Sequence, residues 1–274
     1  MKIIFYSDSH ISHDELSYIQ FMEMMEHVYK QNPDVICNLG DYDEILMNES
    51  FMSLKEGYPE NCVYVLGNHD LYSKHKLTPP NAFNIVTEKI QDVSPKAIPL
   101  QKSWEDDSFI YEKHNCLFLG TIGFPDFAYP KLIYPIKYYD KGFPTIDGTY
   151  MNLKEGWRKY TTPLMNAFQK KLELISNYQS NTVVIISHYS GFLGQYNLNP
   201  NDDISPYFYC HRLGDMILEC AKKNPLKRFY CVSGHGHEFM IGKWVLESDN
   251  VMVHGIKTTY MKQDYISLDI PVIS

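Results

Sequence analysis

The chain has 274 residues, of which 44% are hydrophobic and 21% are charged, and its formal net charge is −8. This length is sufficient for one large domain with a substantial core, and the composition is that of a globular protein rather than a disordered one. The negative charge argues against general binding to nucleic-acid backbones, which requires clustered cations, although metal ions could still supply local positive charge for a nucleotide.

The basic residues are almost all lysines. Only three arginines, Arg158, Arg212 and Arg228, stand against 22 lysines. Recognition of phosphate must therefore depend mainly on metals, His, Asn, Lys or backbone N–H groups, rather than on the bidentate fork of a guanidinium group.

Cysteine usage and hydropathy point to the cytoplasm. The six cysteines lie far apart without a C-x-x-C pair, which predicts buried, reduced thiols; they are Cys37, Cys62, Cys116, Cys210, Cys220 and Cys231. The apolar run at the N-terminus, residues 1–6, is too short for a secretory signal, and no apolar stretch approaches the roughly 18 residues of a membrane span. We therefore expect a cytoplasmic protein without a membrane partner.

Short apolar runs alternate with longer amphipathic stretches along most of the chain. The runs predict strands at Ile3–Tyr6, Val35–Asn38, Val63–Leu66, Cys116–Thr121, Thr182–Ser187 and Phe229–Ser233. The amphipathic stretches predict helices at Asp14–Lys30 (with Ser12 or His13-Asp14 as its start signal), Leu164–Asn177 and Pro206–Lys223. Three more strands are predicted at Lys243–Glu247, Asn250–His254 and Tyr265–Ile270. This order indicates an α/β protein whose sheet region ends in hairpins.

Residues 124–160 follow neither the helical nor the strand period. They include ten aromatic residues, from Phe124 to Tyr160, with four prolines between them. We expect this segment to be an aromatic-rich insertion or cap within a single domain of residues 1–274. Packing of the rings against one another is favoured over stacking on the base or sugar of a substrate.

Polar motifs follow the first two predicted strands where each strand ends. Asp8 and His10 are two residues apart, so in a continued strand their side chains would project to the same side as a carboxylate–imidazole pair. Asp41 follows Gly40, and its two oxygens could bridge two metal ions. Taken alone, the first pair could be ordinary surface residues, and Asp41 could be a turn residue bonded to its own backbone.

The motif Gly67-Asn68-His69-Asp70 is the strongest of the set. It comes directly after the third predicted strand. Asn68 offers a neutral carbonyl oxygen as a ligand, and His69 can donate a proton. Asp70 can hold the His69 imidazole in place and stabilise its protonated, charged form. An isolated loop of this composition would instead be a turn with solvated side chains.

Histidines follow two later strands. His188 closes Thr182–Ser187, where a single histidine is more often a satisfied core residue. His235 and His237 follow the strand that ends at Ser233, with glycines beside them that would let the backbone approach an ion. It is improbable that five strands would each end, by chance, at a residue that can bind a metal ion. Sites in open α/β sheets also form at the carboxyl ends of strands, so the set predicts a site for two metal ions there.

The ordered motifs D-x-H, G-D, G-N-H-D, H and G-H-x-H, from Asp8 to His237, resemble those of the calcineurin-like metallophosphoesterase superfamily. The resemblance implies a four-layer α/β/β/α sandwich with two metals at the edge of the sheets. It implies one ion held by Asp8, His10, Asp41 and His237, and a second ion held by Asp41, Asn68, His188 and His235. It also implies that His69 assists the leaving group and that Asp70 supports His69. Mixed N and O ligands suit Mn, with Fe or Zn as alternatives, better than Mg or Ca.

The expected activity is hydrolysis of a small phosphomonoester or phosphodiester, which would be nucleotide-like if aromatic rings stack on it. Two ions about 3.5–4 Å apart would hold the phosphate and acidify a bridging water, whose hydroxide attacks phosphorus while His69 protonates the departing oxygen. Glu44 stands where the family's G-D-x-x-D motif has Asp, which leaves its role open.

Two other functions remain open at this point. A DNA exonuclease of the recombination-nuclease branch shares G-N-H-D, but the net charge and the few arginines argue against it. A non-catalytic, protein-binding scaffold would have a degraded metal site, whereas all seven ligand positions are intact. Protein phosphatases carry G-N-H-E and an Arg that this chain lacks, and purple acid phosphatases lack the first His, which is present as His10.

Selectivity is expected to come from segments that border the metals. The segments 124–160 and Tyr196–Tyr209 are long, irregular and aromatic, and long loops in compact domains are often functional. We expect deletion of residues 129–150 to change substrate preference and KM while two metals stay bound.

Overall fold

The computed structural model describes residues 1–11, 15–47, 58–128, 132, 134–141, 145, 147–199, 202–259 and 262–271. The expected helix start at Ser12 to Asp14 and two rings of the aromatic segment, Tyr129 and Phe143, lie outside these ranges. Within them, none of the helices combines the length and the apolar character needed to cross a bilayer. All six cysteines are buried free thiols, as the sequence predicted.

The helices and strands alternate from the N-terminus onward. The strands are β1 (Lys2–Tyr6), β2 (Val35–Asn38), β3 (Cys62–Tyr64), β4 (Ile98–Pro99), β5 (Tyr111–Lys113), β6 (Cys116–Thr121), β7 (Thr182–Ser187), β8 (Arg228–Ser233), β9 (Val245–Ser248), β10 (Val251–Gly255) and β11 (Tyr265–Asp269). The helices are α1 (Glu15–Lys30), α2 (Pro79–Val93), α3 (Ile136–Tyr139), α4 (Asp147–Tyr150), α5 (Trp157–Leu174) and α6 (His211–Lys223).

The strands form two sheets that are mainly parallel. The first sheet has the order β11-β1-β2-β3-β4, in which β1 to β4 are parallel and β11 is antiparallel to β1 at the edge. The second sheet has the order β5-β6-β7-β8-β10-β9. Its four central strands are parallel, and antiparallel β5 and β9 form its edges. Parallel neighbours place their carboxyl ends at one edge of a sheet, where binding sites form.

Alternating side chains of β1 point into two different cores. Ile3 and Phe5 belong to a cluster that includes Phe118 and Val184 of the second sheet, so the two sheets pack face to face. Ile4 and Tyr6 belong to a larger cluster with residues of α1, α2, α5 and α6. Helices therefore cover the outer faces, and the four-layer α/β/β/α fold expected from the sequence is confirmed.

The partners of the last strands differ from the expected run of hairpins. The β9–β10 hairpin forms, but β10 also pairs in parallel with β8, and β11 lies beside β1 in the other sheet. Alternation of apolar residues indicates that a segment is a strand, yet it carries no information about which edge the strand will occupy.

Several helices differ from the sequence-based expectation, among them α6, which begins at His211 rather than Pro206, since Ser205–Phe208 form a separate 3-10 turn. We made no prediction for residues 79–93, where α2 begins with two prolines at its first positions, an arrangement that helices tolerate. Helix α5 begins at Trp157 rather than Leu164 and contains Pro163 within it. A proline inside a helix removes a hydrogen bond and usually ends the helix, yet α5 continues through Pro163.

Candidate metal centre

The five polar motifs meet where the two sheets adjoin. Three follow β1, β2 and β3 of the first sheet, and two follow β7 and β8 of the second. Direct contacts join the two sets: the backbone N–H of His235 lies 3.0 Å from both carboxylate oxygens of Asp8, and His188 Nδ1 lies 2.9 Å from the Leu39 carbonyl oxygen. The site is therefore built from both sheets.

One group of ligand atoms consists of Asp8, His10 and His237, whose carboxylate and imidazole atoms all lie within 4.8 Å of one another. His237 Nε2 is 3.6 Å from Asp8 Oδ1. The rings of His10 and His237 stack with their centroids 5.4 Å apart. On its other side, His10 Nε2 is 3.8 Å from Asp41 Oδ2, so Asp41 adjoins this group.

A second group of ligand atoms consists of Asp41, His188 and His235, again within 4.8 Å of one another. His188 Nε2 lies 3.2 Å from Asp41 Oδ2, 3.2 Å from His235 Nδ1 and 3.0 Å from Asn68 Oδ1. The structure thus brings all seven predicted ligands together, and it places Asp41 between the two groups.

Hydrogen bonding fixes which nitrogen of His188 faces the cluster. Nδ1 lies against the Leu39 carbonyl, which can only accept a hydrogen bond, so Nδ1 carries the proton and Nε2 is directed at the carboxylate. Burial opposes a charge on this ring, but the Asp41 carboxylate raises the pKa of His188 to about 9. Burial favours the neutral acid of Asp41, yet His188 and His69 hold the Asp41 pKa well below its usual range.

His235 and His10 show the opposite shift. Burial lowers the pKa of His235 well below its usual range, and the neighbouring His188 lowers it further. Burial also lowers the pKa of His10, although Asp41 opposes this effect. Both rings are therefore neutral at physiological pH and can act as metal ligands.

The residues fit two divalent cations. The donor set comprises four imidazoles, two carboxylates and one amide, which is typical of sites for divalent transition metals. Two glycines make room for it: a Cβ on Gly67 would collide with the Asp41 carboxylate, and a Cβ on Gly234 would collide with the side chains of Ser7 and Asp8.

His69 is partly exposed and lies beside these groups. Its side chain is 17% exposed, its ring is 4.7 Å from that of His10, and its backbone N–H donates to Asp41 Oδ1 at 2.9 Å. His69 Nδ1 lies 3.1 Å from Glu44 Oε1. Burial disfavours the charged ring, but Asp41 and Glu44 outweigh it and raise the pKa of His69.

Asp70 uses its carboxylate in another way than the sequence analysis expected. The two oxygens accept the backbone N–H groups of Asp41, Asp43 and Gly67 at 2.9, 3.0 and 2.7 Å. His69 and Asp70 begin a single 3-10 turn, in which successive side chains point in directions about 120° apart. Asp70 therefore ties two ligand loops together, and Glu44 is the carboxylate that lies beside the His69 ring.

Several residues at the site were not singled out from the sequence, although Phe208 lies in Tyr196–Tyr209 and Asp147 in 124–160, the two segments expected to border the metals. The Asn68 side-chain amide donates to Asp147 Oδ1 at 3.1 Å and to the Tyr72 hydroxyl at 3.2 Å. Half-buried Phe208 lies with its ring 5.3 Å from that of His235, and Phe239 lies 5.4 Å from Phe208. None of these residues directly follows a predicted strand, which was the signal that identified the others.

The described rings of the aromatic segment mostly pack into the protein. Phe124 and Trp157 are fully buried and meet edge to face, with centroids 4.5 Å apart. Tyr139 is also fully buried and contacts Phe127 and Tyr207. These contacts favour internal packing of the rings over stacking on a substrate.

The same segment borders a cleft of about 520 Å³. Four basic side chains line this cleft, which we call the lysine cleft; they belong to His75, Lys76, Lys141 and Lys154. Gly148 also lines it and directly follows Asp147, so the cleft adjoins the residue that contacts Asn68.

Several solved structures are similar to this chain at low sequence identity. Phosphopantetheinyl hydrolase from Mycobacterium tuberculosis is 10% identical over 96% of this chain and 95% of its own, with a TM-score of 0.60. TT1561 of Thermus thermophilus is 12% identical over 95% and 90% of the two chains, with a TM-score of 0.47. The 5′-nucleotidase from Candida albicans is 11% identical over 96% of this chain and 46% of its own, with a TM-score of 0.48.

At these identities, the first of these structures shows a shared fold. A comparison with curated proteins gave no match. The sequence profile of the calcineurin-like phosphoesterases matches residues 1–239, a range that includes every motif of the metal centre. The chain therefore belongs to the calcineurin-like phosphoesterase family and is a phosphoester hydrolase.

Proposed function

We propose that this protein hydrolyses a small phosphomonoester or phosphodiester with two divalent metal ions, Mn most readily and Fe or Zn as alternatives. The observation that carries the proposal is the pair of adjoining ligand groups that meet at Asp41 Oδ2. One ion would be held by Asp8, His10, Asp41 and His237. The other would be held by Asp41, Asn68, His188 and His235.

When bound, two such ions supply positive charge for the phosphate oxygens and lower the pKa of a bound water. His69 supplies the proton for the departing oxygen. Three observations support this role: the ring is partly exposed, it adjoins His10 and Asp41, and its raised pKa favours the protonated form that a general acid requires. Glu44 orients the His69 ring and stabilises its protonated form, and Asp70 holds the loops that carry Asp41 and His69.

Substrate choice would depend on the borders of the site, in a single domain of residues 1–274 with an insertion at 124–160. The half-buried pair Phe208 and Phe239, beside His235, offers an aromatic surface for a base or another flat leaving group. The lysine cleft offers positive charge on the side of the insertion. Both features favour a small, anionic substrate over a nucleic-acid duplex.

The experiment combines metal analysis with a substrate panel. The purified protein should carry up to two transition-metal ions per chain, and chelation should abolish activity. In Mn²⁺, it should hydrolyse aryl phosphate, bis-aryl phosphate or a cyclic nucleotide faster than single-stranded DNA. Preferred cleavage of DNA would instead establish the exonuclease alternative, and absence of both metal and activity would establish the scaffold alternative.

The Asp41→Asn variant tests the shared ligand. We expect it to lose metal from both sites together and to be at least about 100-fold less active, because one carboxylate oxygen adjoins both ligand groups. The matched control is Asp106→Asn, which makes the same change at a side chain that is 83% exposed. Full metal content and activity in Asp41→Asn would refute the dinuclear assignment.

A further inference from the structure

We propose that Asp147 in α4 is a positioning residue, which orients the side-chain amide of Asn68 so that its carbonyl oxygen faces the second metal ion. This inference rests on the proposed function, since it concerns the ion assigned to Asp41, Asn68, His188 and His235. It assigns the insertion a part in building the metal centre itself.

The contacts of the Asn68 amide define its orientation. Asn68 Nδ2 lies 3.1 Å from Asp147 Oδ1, while Asn68 Oδ1 lies 3.0 Å from His188 Nε2. The nitrogen and oxygen of an amide sit on opposite branches of one planar group, so a partner that holds the nitrogen also directs the oxygen. Rotation of the amide by half a turn would present two N–H donors to a cation, which is unfavourable.

A carboxylate is the partner that can enforce this choice. An ionised carboxylate only accepts hydrogen bonds, so it selects the nitrogen of the amide and rejects the oxygen. The Tyr72 hydroxyl could accept or donate, but it donates to Asp147 Oδ1 at 2.9 Å and so is left to accept from Asn68. Asp147 thereby fixes both partners of the Asn68 nitrogen.

Asp147 is itself held in place. Thr145 donates its hydroxyl to Asp147 Oδ2 at 2.6 Å, which leaves Oδ1 for Asn68 and Tyr72. Asp147 is 5% exposed and Asn68 is 2% exposed. Among the described residues, no Lys or Arg pairs with Asp147. These hydrogen bonds therefore offset the free-energy cost of burying its carboxylate.

A residue that orients a ligand changes metal affinity rather than the overall fold. Partners of metal ligands typically contribute about 10–100-fold to metal affinity. We therefore expect Asp147→Ala to weaken binding of one Mn²⁺ ion by about that factor and to leave the other ion unaffected. Asp147→Asn keeps a carbonyl oxygen that can accept from Asn68 but also offers an amide N–H to the Asn68 oxygen, so it should recover the affinity only in part.

The test is a titration of the metal-free protein with Mn²⁺, in which free Mn²⁺ is counted by electron paramagnetic resonance. The parent, Asp147→Ala and Asp147→Asn are compared with Glu155→Ala, which removes a carboxylate that is 57% exposed from the same segment. Each substitution is repeated in an Asn68→Ala background. If Asp147 acts through Asn68, Asp147→Ala has no further effect on metal affinity in that background.

The outcomes separate this inference from the proposed function. A parent that binds fewer than two ions overturns both. A parent that binds two ions, with an Asp147→Ala variant that binds them equally well, overturns the positioning role alone. Equal losses at both sites, a similar loss in Glu155→Ala, or a full further loss in the Asn68→Ala background would each show a general structural effect instead. If Asp147→Ala does not fold, Asp147→Thr, which keeps the volume but not the carboxylate, should show the same selective loss.

Discussion

At the scale of single residues, the proposed metal ligands have an unusual backbone conformation. Five of the seven proposed ligands have positive φ angles: 56° at Asp8, 41° at His10, 52° at Asp41, 67° at His235 and 43° at His237. Such conformations cost a non-glycine residue about 1–3 kcal/mol and persist where the surroundings impose them. Here they turn the chain back after β1, β2 and β8, so that the side chains point to a common centre. Concentration of strain at these positions supports their assignment as ligands.

The role of His69 can be tested at the same scale. We expect His69→Ala to keep its metals, because the ring is not assigned as a ligand, and to slow turnover by roughly 10²–10⁴-fold, the usual contribution of a general acid. The loss should be smaller for substrates with good leaving groups, such as nitrophenolate. An equal loss for good and poor leaving groups would assign His69 to binding of the phosphate.

Glu44 should control the pH range in which His69 works. Asp41 and Glu44 raise the His69 pKa, and a general acid is active only below its pKa, so activity should fall as the pH rises through that value. Glu44→Gln removes one negative charge, which lowers the His69 pKa and moves this alkaline limb to lower pH. The control is Glu60→Gln, at a side chain that is 79% exposed. An unmoved limb in Glu44→Gln would contradict the coupling.

The sequence predicted the proposed ligands but not most of the residues that support them, for a physical reason. Asp41 and His188 each end a run of β-forming residues, and parallel strands place their ends at one edge, so their proximity follows from local pattern alone. Glu44, Tyr72 and Asp147 reach the site through loops and short turns, whose paths depend on tertiary packing. Of these three, only Glu44 had a signal in the sequence, its position in the pattern G-D-x-x-D, and spacing contains no comparable signal for Tyr72 and Asp147.

At the scale of elements, the segment 124–160 contributes to the core as well as to the border of the site. Trp157 and Tyr139 are fully buried, and α4 places Asp147 against Asn68. Deletion of residues 129–150 would therefore remove Asp147 and weaken one metal site, which changes our expectation that both metals would stay bound. Apolar runs predicted nine strands but not the short strands β4 and β5, whereas the pairing of β11 with β1 and the start of α5 before Pro163 depend on long-range packing.

Point substitutions in the lysine cleft are a more selective test of this element. Among the described residues, Lys76, Lys141 and Lys154 form no ion pair with a carboxylate, although the chain carries a net charge of −8. We expect Lys141→Glu with Lys154→Glu to raise KM about tenfold for a substrate with a second phosphate, since each exposed charge contributes up to about 1 kcal/mol. Turnover of a small aryl phosphate should stay constant.

The control makes the same two charge reversals at Lys222 and Lys223, in the last turn of α6, where the chain leads into the amino end of β8 rather than its carboxyl end. Equal changes for both pairs would show a general charge effect. An unchanged KM for the doubly anionic substrate would show that the cleft does not contribute to selectivity.

At the scale of the whole molecule, the proposed ions would join the two sheets. Asp8, His10, Asp41 and Asn68 come from the first sheet, and the remaining ligands, His188, His235 and His237, come from the second. Each ion would therefore have ligands from both layers. Binding to the folded chain alone stabilises it by about 2.7 kcal/mol for each site at a free metal concentration of 100 Kd.

The stability of the metal-free protein should depend on pH through His188. Its pKa of about 9 in the fold exceeds the unfolded value of about 6.5, so the charged ring contributes stability that is fully present below pH 6.5 and is lost as the pH rises through 9. Between pH 6.5 and 8.5, the free energy of unfolding should therefore fall by about 1.4 kcal/mol per pH unit from this ring. The His188→Asn variant tests whether His188 causes this loss. Its metal-free form should not show the fall in the free energy of unfolding between pH 6.5 and 8.5.

Saturation with Mn²⁺ should remove the same slope. A ligand imidazole is neutral, so binding releases the His188 proton, and the apparent affinity of that site should rise about tenfold per pH unit over this window. As the pH rises, the stabilisation from metal binding therefore increases. The increase equals the loss in the free energy of unfolding of the metal-free protein, so the two changes cancel. Thermal or urea unfolding from pH 6.5 to 8.5 should give a sloping line in chelator and a nearly level one in saturating Mn²⁺, once the slope that remains in His188→Asn is subtracted. A level line in chelator would mean that His188 is neutral without metal, and parallel sloping lines would mean that the metal does not bind this ring.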